Sequence, residues 1–560
     1  VSFRSAMPTV EPQAMKDLED MGKAGVRAAA PAPLLADGGS DLDPDQEPER
    51  YNEKCGVFGA FNVENASHTC YYGLVGLQHR GQEGGGMVTG DIAMTKDQKV
   101  VPGHHQHRGM GLVTDVFTKE ALDTLKGNCA LGHTRYSTAG AKTGLAGFQP
   151  FSVKYAQGNI ALAHNGNLSN FAELRAFFEA HGVLMQTSVD SELFLHLISH
   201  SKRRQQLDQI FDAMTQTEGA FSVVILTDTL MVALRDPNGF RPLCIGRLKG
   251  RGINGTDGYC VASETCALDL CKAEYVRDVA PGEMVIIDRS TVASGMFTSL
   301  HLPNKFGLSQ CIFEYVYFAR PDSLVFGDSV TKVRRAHGRQ LAREHPVPKV
   351  AAGELIPVVV PVPDSATHAT IGFVNECCAL GFPCEQDLGF FRNPYVGRSF
   401  IAPNQENRDL KVRCKFNPMQ HVVKDRIVVL LDDSIVRGTT AKQLIGLVKS
   451  AGAKEVHFRV ASPPVTDPCF YGMDFPSKKE LFANAHMGDL KKMAEWLGVT
   501  SIGYLSPEGL VTSTTGKDFA PDHGFCRACF TGVYPVPPSH VDLPVLESKP
   551  DLPDNIFTKR

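Results

Sequence analysis

The chain has 560 residues, so at roughly 100–200 residues per domain it is expected to form about two to four domains. Apolar residues make up 43% and charged residues 21%, as in ordinary globular proteins, which excludes a collagen-like or wholly disordered chain. The formal net charge of −4 gives no electrostatic reason to expect nucleic acid or an anionic membrane as a partner, and the sequence lacks the long apolar run of a membrane-spanning helix.

Residues 1–54 differ from the rest of the chain. They are rich in Ala, Pro, Gly and Asp and almost without aromatic residues. Such a composition cannot bury enough apolar surface to fold, so we predict a disordered leader, or propeptide. The segment is too acidic for an organelle transit peptide and lacks the apolar core of a secretory signal. Folded structure is expected to begin near Cys55.

Residues 55–290 show short strands separated by Gly-rich turns. The predicted strands cover 55–61, 160–163, 221–226, 231–234 and 260–263, and the predicted helices cover 171–181 and 191–200. Because strands and helices do not alternate regularly, this segment is predicted to form an α+β layered domain.

Residues 291–510 show regular alternation instead. Apolar strands are predicted at 357–362, 426–431 and 456–461, with helices at 367–380 and 440–450 between them. This pattern is typical of an α/β domain with a doubly wound parallel sheet. Residues 511–560 are polar and Pro-rich, and we predict a C-terminal tail that carries one cysteine pair.

The most informative motif is Val428-Val-Leu-Leu-Asp-Asp-Ser-Ile-Val-Arg-Gly-Thr-Thr440. A strand ends in two acids, and a turn rich in glycine and hydroxyls then opens a helix. Backbone N–H groups at the helix start, with the hydroxyls of Thr439 and Thr440, can hold a phosphate at the carboxyl edge of the sheet. Asp432 and Asp433 suit the hydroxyls of a ribose, directly or through Mg²⁺. For the loop alone, an ordinary capped turn with a solvated acidic pair is the alternative.

Five further motifs lie in the first domain. Taken alone, Cys55 is more simply a small buried residue than a nucleophile. The motifs occur in this order: Cys55-Gly-Val-Phe-Gly59, Leu77-Gln-His-Arg-Gly-Gln-Glu83, Gly132-His-Thr-Arg-Tyr-Ser-Thr138, His164-Asn-Gly-Asn-Leu168 and Thr187-Ser-Val-Asp-Ser-Glu192.

In this order and spacing, these motifs resemble the glutamine amidotransferases of the N-terminal-nucleophile class, and the loop 428–440 resembles that of the type I phosphoribosyltransferases. Together they resemble the glutamine phosphoribosylpyrophosphate amidotransferase family over nearly all of residues 55–535. The resemblance implies an αββα N-terminal-nucleophile domain followed by a type I phosphoribosyltransferase domain. It also implies that ammonia from glutamine passes inside the protein to phosphoribosyl pyrophosphate, giving 5-phosphoribosylamine, glutamate and pyrophosphate in the first committed step of purine synthesis.

The resemblance implies roles for the residues of the glutamine site. In the N-terminal-nucleophile class the catalytic cysteine is the first residue of the mature chain, so cleavage after Lys54 would free the α-amine of Cys55 to act as base. The implied oxyanion donors are the Asn165 side chain and the Gly166 N–H. Arg135 would bind the α-carboxylate of glutamine and Asp190 its α-ammonium group.

The resemblance also implies the residues of the second site. Phosphoribosyl pyrophosphate would contact Arg392, Tyr395, Arg398, Asp432, Asp433, Ser434, Arg437, Gly438, Thr439 and Thr440, and Mg²⁺ would be held by Ser365, Asp432 and Asp433. Pro394 stands where the family usually has Arg. Because proline fixes its own backbone and restricts Asn393, this chain is expected to differ from the family in loop closure over the substrate or in contact with pyrophosphate.

The chain contains 15 cysteines and no secretory leader, which favours reduced thiols or metal ligands in a cytoplasmic protein. The pair Cys526 and Cys529 alone could be half a zinc site, a redox pair or two plain thiols. One branch of the family carries a [4Fe–4S] cluster, and the resemblance implies Cys311, Cys469, Cys526 and Cys529 as its ligands. Since the reaction moves no electrons, we expect a structural cluster that pins the tail onto the second domain.

Three other functions are compatible with part of this sequence. A sugar-phosphate isomerising amidotransferase would lack the loop 431–437, and a non-enzymatic regulator would not need Cys55, Arg135, Asn165 and Asp190 together. An inactive scaffold has only Pro394 in its favour. The resemblance further implies inhibition by purine nucleotides and a homodimer or homotetramer, with no nucleic-acid or membrane partner.

Overall fold

The structure is a computed structural model that describes residues 55–94, 103–135, 145–393, 415–473, 475, 477–517 and 524–537. The predicted leader 1–54 lies outside these residues, as does most of the tail. Within the described part of the chain, no helix is long and apolar enough to cross a membrane.

Two antiparallel sheets form the first domain. The larger sheet has the strand order β11-β9-β10-β1-β4-β2-β3, and the smaller has the order β13-β12-β8-β7-β6-β5. The strands are β1 (Gly56–Phe61), β2 (Gly84–Gly90), β3 (His104–Met110), β4 (Cys129–Arg135), β5 (Phe151–Tyr155), β6 (Gly158–Leu168), β7 (Gly219–Thr227), β8 (Met231–Arg235), β9 (Cys244–Leu248), β10 (Gly258–Ala262), β11 (Glu274–Asp278), β12 (Glu283–Ile287) and β13 (Thr298–His301).

Alternation along the strands explains why the two sheets stack. In β1, Val57 and Phe61 pack into the core between the sheets, whereas Phe58 and Ala60 face the outer helices, because successive side chains of a strand point to opposite faces. A separate apolar core lies between the smaller sheet and its own helices. The result is the αββα layering expected from the resemblance.

The helices of the first domain are α1 (Ala66–Gly76), α2 (Val113–Val116), α3 (Lys119–Thr124), α4 (Phe171–Ala180), α5 (Ser191–His200), α6 (Gln206–Met214), α7 (Thr265–Cys271) and α8 (Arg289–Ser294).

A parallel sheet with the strand order β18-β17-β21-β22-β23 forms the centre of the second domain. Strands β17 and β21 are near-continuous apolar runs, as expected for a sheet buried on both faces. Strand β22 instead alternates polar and apolar residues, although all but its first residue are buried. The remaining strands are β14 (Gln310–Cys311), β15 (Leu324–Val325), β16 (Asp328–Ser329), β17 (Val358–Pro361), β18 (Glu385–Gln386), β19 (Phe390–Arg392), β20 (Phe416–Pro418), β21 (Ile427–Asp432), β22 (Glu455–Val460), β23 (Ser501–Tyr504) and β24 (Phe525–Cys526).

Helices from two groups contribute to the core around this sheet. One group contains α9, α10 and α15, and the other contains α12 and α14. The helices are α9 (Val330–Glu344), α10 (Thr367–Ala379), α11 (Gln420–Val423), α12 (Thr439–Ser450), α13 (Phe482–Ala485), α14 (Leu490–Leu497), α15 (Pro507–Thr515) and α16 (Ala528–Thr531), with a π-helical turn at Glu314–Phe318.

The predicted elements are observed to within two residues at each end, apart from the strand expected at 160–163. That strand, β6, continues to Leu168 and carries Asn165 and Gly166. The domain boundaries also differ from those expected. Strand β13 pairs with β12, so the first domain continues past residue 290. Helix α15 spans the expected boundary between residues 510 and 511. Leu510 and Val511 are both fully buried, so the second domain continues past this boundary.

Candidate active site

The start of β1 places Cys55 beside the end of β4. Cys55 is fully buried, and the N–H of Val57 donates a hydrogen bond to Ser263 Oγ at 3.0 Å. Strands β1 and β4 are antiparallel with Gly56 opposite Thr134. The next step of this register brings Cys55 opposite Arg135.

Three contacts hold the guanidinium of Arg135 in a fixed orientation. Its Nη1 donates to the carbonyl of Gly147 at 2.7 Å, and its Nε lies 3.6 Å from a carboxylate oxygen of Glu83. The group also lies over the ring of Phe148, with 5.1 Å to the ring centroid. A fixed, nearly buried guanidinium is suited to bidentate binding of a carboxylate.

Strand β6 brings Asn165 to the same end of the stacked sheets. His133 on β4 places its Nε2 3.2 Å from the carbonyl oxygen of His164, so the two sheets meet next to Asn165. Asn165 is 1% exposed, yet its Nδ2 has no hydrogen-bond partner among the described residues. Buried donors normally have a hydrogen-bond acceptor, so the Asn165 amide is suited to donate to an acceptor on a bound ligand. Burial lowers the pKa of His133 to about 3, which keeps its ring neutral.

Gly166 adopts a backbone that only glycine tolerates. Its φ is 153°, and a Cβ at this position would lie 2.0 Å from the carbonyl oxygen of Ala220. The backbone of β6 therefore lies directly against β7 beside the Asn165 amide.

Asp190 completes this site from the start of α5. Its Oδ2 accepts from the N–H of Leu168 at 2.9 Å, and its Oδ1 accepts from Ser191 Oγ at 3.1 Å and lies 3.5 Å from His164 Nδ1. Burial favours the neutral acid, but His164 and the hydrogen-bond donors outweigh it and hold the pKa of Asp190 below its usual value. A buried carboxylate that stays ionised can bind an ammonium group. The structure thus gathers Cys55, Arg135, Asn165, Gly166 and Asp190, while their roles stay predictions.

Sequence reasoning missed the support behind Asp190. The N–H of His164 donates to Gln149 Oε1 at 2.6 Å, and Gln149 Nε2 donates to Ser191 Oγ at 3.0 Å. The quoted motifs contain His164 and Ser191, but no spacing rule links them to Gln149.

The second site lies where neighbouring parallel strands end. The N–H of Val362 donates to the carbonyl of Leu431 at 2.8 Å, so the turn after β17 and the turn after β21 share one edge of the sheet. The N–H of Asp433 donates to Asp432 Oδ1 at 2.9 Å, and Ser434 Oγ donates to Asp433 Oδ2 at 2.7 Å. Burial and the adjacent Asp433 raise the pKa of Asp432 well above its usual value. The pair therefore needs donors or a cation to be fully ionised.

The start of α12 is open to solvent at the same edge. Gly438 caps the helix with a φ of 75°, and a Cβ there would lie 2.7 Å from Phe482 Cδ2. Thr439 and Thr440 are exposed at the first turn, and the exposed Arg437 lies 3.9 Å from Glu480. The helix N-terminus is therefore accessible to a phosphate.

The remaining residues expected at this site are distributed around it. Ser365 is half-buried in the turn after β17, and Arg392 on β19 forms an ion pair with Asp364 in the same turn. Tyr395, Arg398 and Pro394 lie outside the described residues.

The four cysteines implied as cluster ligands converge from three segments. Strands β14 and β24 pair in parallel with Cys311 opposite Cys526, and the carbonyl of Cys529 accepts from the N–H of Thr466 at 3.0 Å, close to Cys469. No disulfide joins any two of the four thiols, and each is at most 9% exposed. Burial raises the pKa of Cys311 to about 12 and holds those of Cys526 and Cys529 well above their usual value.

The spacing of the four cysteines limits which metal centre they can hold. Electrostatic interactions link the Cys529 thiol to the other three cysteines. Among the described residues, however, no three His, Cys, Asp or Glu side chains converge closely enough to hold one metal ion.

A buried ionic cluster at the joint between the domains was also missed. Glu314 is fully buried and accepts from Arg80 Nη2 at 2.6 Å and from Arg241 Nη1 at 3.1 Å. Arg80 also pairs with the buried Glu264, and Arg241 Nη2 donates to the carbonyl of Tyr471 at 2.6 Å. Charged residues are seldom fully buried, so no sequence pattern predicts this cluster.

The two sites together define a class of protein. One domain holds a buried cysteine, a side-chain amide without a hydrogen-bond partner among the described residues, and a cation and an anion suited to the two charged groups of an α-amino acid. The other domain holds a loop suited to a ribose phosphate. These features characterise glutamine-dependent phosphoribosyl-transferring enzymes.

Comparisons with known proteins identify the family. A family model described as a glutamine amidotransferase domain matches residues 133–269. The chain is 44% identical over 503 residues to amidophosphoribosyltransferase 1, chloroplastic, of Arabidopsis thaliana, covering 90% of this chain and 82% of that relative. It is 42% identical over 485 residues to amidophosphoribosyltransferase of Bacillus subtilis, covering 86% and 94%. The solved glutamine phosphoribosylpyrophosphate amidotransferase of B. subtilis, complexed with ADP and GMP, matches with a TM-score of 0.75 and 39% identity over 87% of this chain and 98% of that one.

The chain belongs to the amidophosphoribosyltransferase family. It is a glutamine-dependent pentosyltransferase that carries out the first step of purine biosynthesis, from phosphoribosyl pyrophosphate, glutamine and water to 5-phosphoribosylamine, glutamate and pyrophosphate. The predicted family, fold class and reaction are confirmed.

Proposed function

We propose that glutamine is hydrolysed at the Cys55 site and that Asn165 is the main oxyanion donor there. The observation that carries this proposal is the buried, unpaired Nδ2 of Asn165 on β6, next to the point where His133 joins the cysteine's sheet to β6. Arg135 would bind the α-carboxylate of glutamine and Asp190 its α-ammonium group. This pairing fits the fixed guanidinium of Arg135 and the lowered pKa of Asp190.

The chemistry follows from these positions. The Cys55 thiolate attacks the carboxamide carbon, and the negative charge that develops on the oxygen is stabilised by Asn165 Nδ2 and the Gly166 N–H. The α-amine of Cys55, freed by cleavage after Lys54, takes the thiol proton and returns it to the leaving ammonia. Water then hydrolyses the thioester and releases glutamate.

At the second site, Asp432 and Asp433 would bind the ribose hydroxyls, and residues from Ser434 to Thr440 would bind the 5-phosphate. The raised pKa of Asp432 supports a compensating cation, and Ser365 lies in the adjacent turn. Bound Mg²⁺ would neutralise charge on the pyrophosphate leaving group. Ammonia that crossed bulk water near pH 7 would be protonated and lost, so it should cross at the buried joint between the domains.

We also propose that Cys311, Cys469, Cys526 and Cys529 hold a [4Fe–4S] cluster. The buried thiols of Cys311, Cys526 and Cys529 have raised pKa values and need a strongly cationic centre to ionise. The N–H of Tyr471 donates to Cys469 Sγ at 3.3 Å, which would stabilise a ligand thiolate there. One zinc ion would need all sulfurs about 2.3 Å from one point, whereas a four-iron cluster spans a wider gap. When bound, the cluster would link the tail to the second domain.

Iron and sulfide analysis of anaerobically purified protein tests this assignment. About four of each per chain are expected, with a brown colour lost in air. The variant Cys526→Ser should contain little iron and be poorly soluble. A colourless, fully active protein that contains zinc or no metal would refute the cluster.

Regulation and assembly are proposed from the relatives. The B. subtilis structure is complexed with ADP and GMP, which supports inhibition by purine nucleotides here. We propose a homodimer or homotetramer in the cytoplasm, although plant relatives are named as chloroplastic. Gel filtration with and without GMP would test the assembly and its response to nucleotide.

A glutaminase assay tests the proposed function as a whole. Glutamate release should depend on Cys55 and rise when phosphoribosyl pyrophosphate is added. A protein that released no glutamate under either condition would fit the inactive scaffold instead.

A further inference from the structure

One hydrogen bond joins the glutamine site to the segment that carries Cys469. We define the cluster loop as residues 462–473, which follow the carboxyl end of β22. Asn167 Nδ2, on β6, donates to the carbonyl oxygen of Phe470 in this loop at 2.9 Å. The bond crosses from the first domain to the second.

Asn167 occupies a sensitive position on β6. The preceding residues are the proposed oxyanion donors, Asn165 and Gly166. The next residue, Leu168, donates its N–H to Asp190 at 2.9 Å. A shift of this short segment would therefore move the groups proposed for both the oxyanion and the ammonium of glutamine.

The other side of the bond is firmly held. Tyr471 accepts from Arg241 through its carbonyl at 2.6 Å, and its ring stacks on Phe240 with centroids 4.3 Å apart. The N–H groups of Tyr471 and Met473 donate to Cys469 Sγ at 3.3 and 3.4 Å. The carbonyl of Phe470 is thus placed by the same backbone that surrounds Cys469.

We propose that Asn167 is a positioning residue that aligns the glutamine site against the cluster loop. Glutamine hydrolysis then depends on the conformation of a loop in the other domain, and glutamine-site ligands in turn stabilise that loop. The proposal rests on the roles proposed above for Asn165, Gly166 and Asp190. Because catalytic groups displaced by about 1 Å can lose on the order of a hundredfold in rate, one bond suffices for a measurable effect.

The first test compares two nitrogen sources in Asn167→Ala. Glutamine-dependent synthesis should fall by roughly 10- to 100-fold in kcat, while ammonium-dependent synthesis and iron content should remain at the native level. Asn167→Gln should recover part of the loss, because its amide can still donate. The matched control is Asn484→Ala, since Asn484 Nδ2 donates to the carbonyl of Thr466 in the same loop at 2.7 Å without touching the first domain. Equal loss of both activities, or no loss, would overturn the proposal.

A second test does not depend on turnover. Hydrogen exchange of peptides covering 462–473 should slow when L-glutamate, the product, is added to the native protein. In Asn167→Ala the same addition should leave exchange unchanged. If glutamate did not change hydrogen exchange of this loop in the native protein, the proposal would be overturned. If Asn165→Ala kept full glutaminase activity, the proposed glutamine site would fail, whereas a loss in Asn165→Ala without one in Asn167→Ala would reject only the positioning role.

Discussion

Replacing Asn165 by Ala should separate activity from stability. The side chain is 1% exposed and its Nδ2 has no partner among the described residues. An unpaired buried polar group costs about 1–3 kcal/mol, so removing it should offset the packing lost with the amide. We expect the free energy of unfolding to change by less than about 1 kcal/mol. Loss of one oxyanion donor should raise the barrier by about 2.7–4 kcal/mol, a fall of roughly a hundred- to a thousandfold in glutamine turnover.

The neighbouring Asn170 offers a control with the opposite pattern. Its Nδ2 donates to the carbonyl of Gln216 at 3.0 Å, and its Oδ1 accepts from the N–H of Glu218 at 3.1 Å. Asn170→Ala should therefore cost about 1–3 kcal/mol of stability and leave turnover nearly native. Glutamate release and thermal unfolding of both variants give the comparison. Glutamine turnover in Asn165→Ala within tenfold of native would refute the oxyanion role.

Three further predictions concern processing, the second site and pH. Active protein should begin at Cys55, because its α-amine is the proposed base; full activity in chains that retain Lys54 on terminal sequencing would contradict this. The double variant Asp432→Asn with Asp433→Asn should lose synthesis from both glutamine and ammonium while keeping glutamate release, and unchanged synthesis would refute a role in ribose binding. Since the pKa of Asp190 is held below its usual value, its carboxylate persists above the ordinary pKa of about 3.9 and is lost only at lower pH. The KM for glutamine should therefore stay constant from about pH 8 to about pH 5.5, and a rise with an apparent pKa near 6 would argue against Asp190 as the ammonium ligand.

The regular elements could be predicted because their patterns are local. Helix α5 begins and ends where the apolar spacing indicated, and α12 begins only one residue earlier than expected, after the Gly438 cap. Strand β6 was predicted too short because Asn165 and Gly166 are typical turn residues, whereas here they continue the strand.

Contacts between residues that are far apart in the sequence could not be predicted, because no local sequence pattern indicates them. Glu314 and its two arginines are charged residues that ordinarily lie at the surface, and only tertiary packing buries them. The two-residue pair β14 and β24 is too short to have a periodic pattern, although it brings Cys311 beside Cys526. The resemblance to the family predicted that these two cysteines act together. The hydrogen bond between Asn167 and Phe470, in contrast, could be found only in the structure.

The division into two sites is tested most directly by Cys55→Ala. Initial rates of 5-phosphoribosylamine synthesis should be measured with glutamine and, separately, with an ammonium salt. We expect synthesis from glutamine to be abolished, because no other group at the site can replace the thiolate. Synthesis from ammonium should continue at close to the native rate, because the loop from Asp432 to Thr440 belongs to the other domain and uses no thiol. Loss of both activities in a folded variant, or survival of glutamine use, would contradict the account.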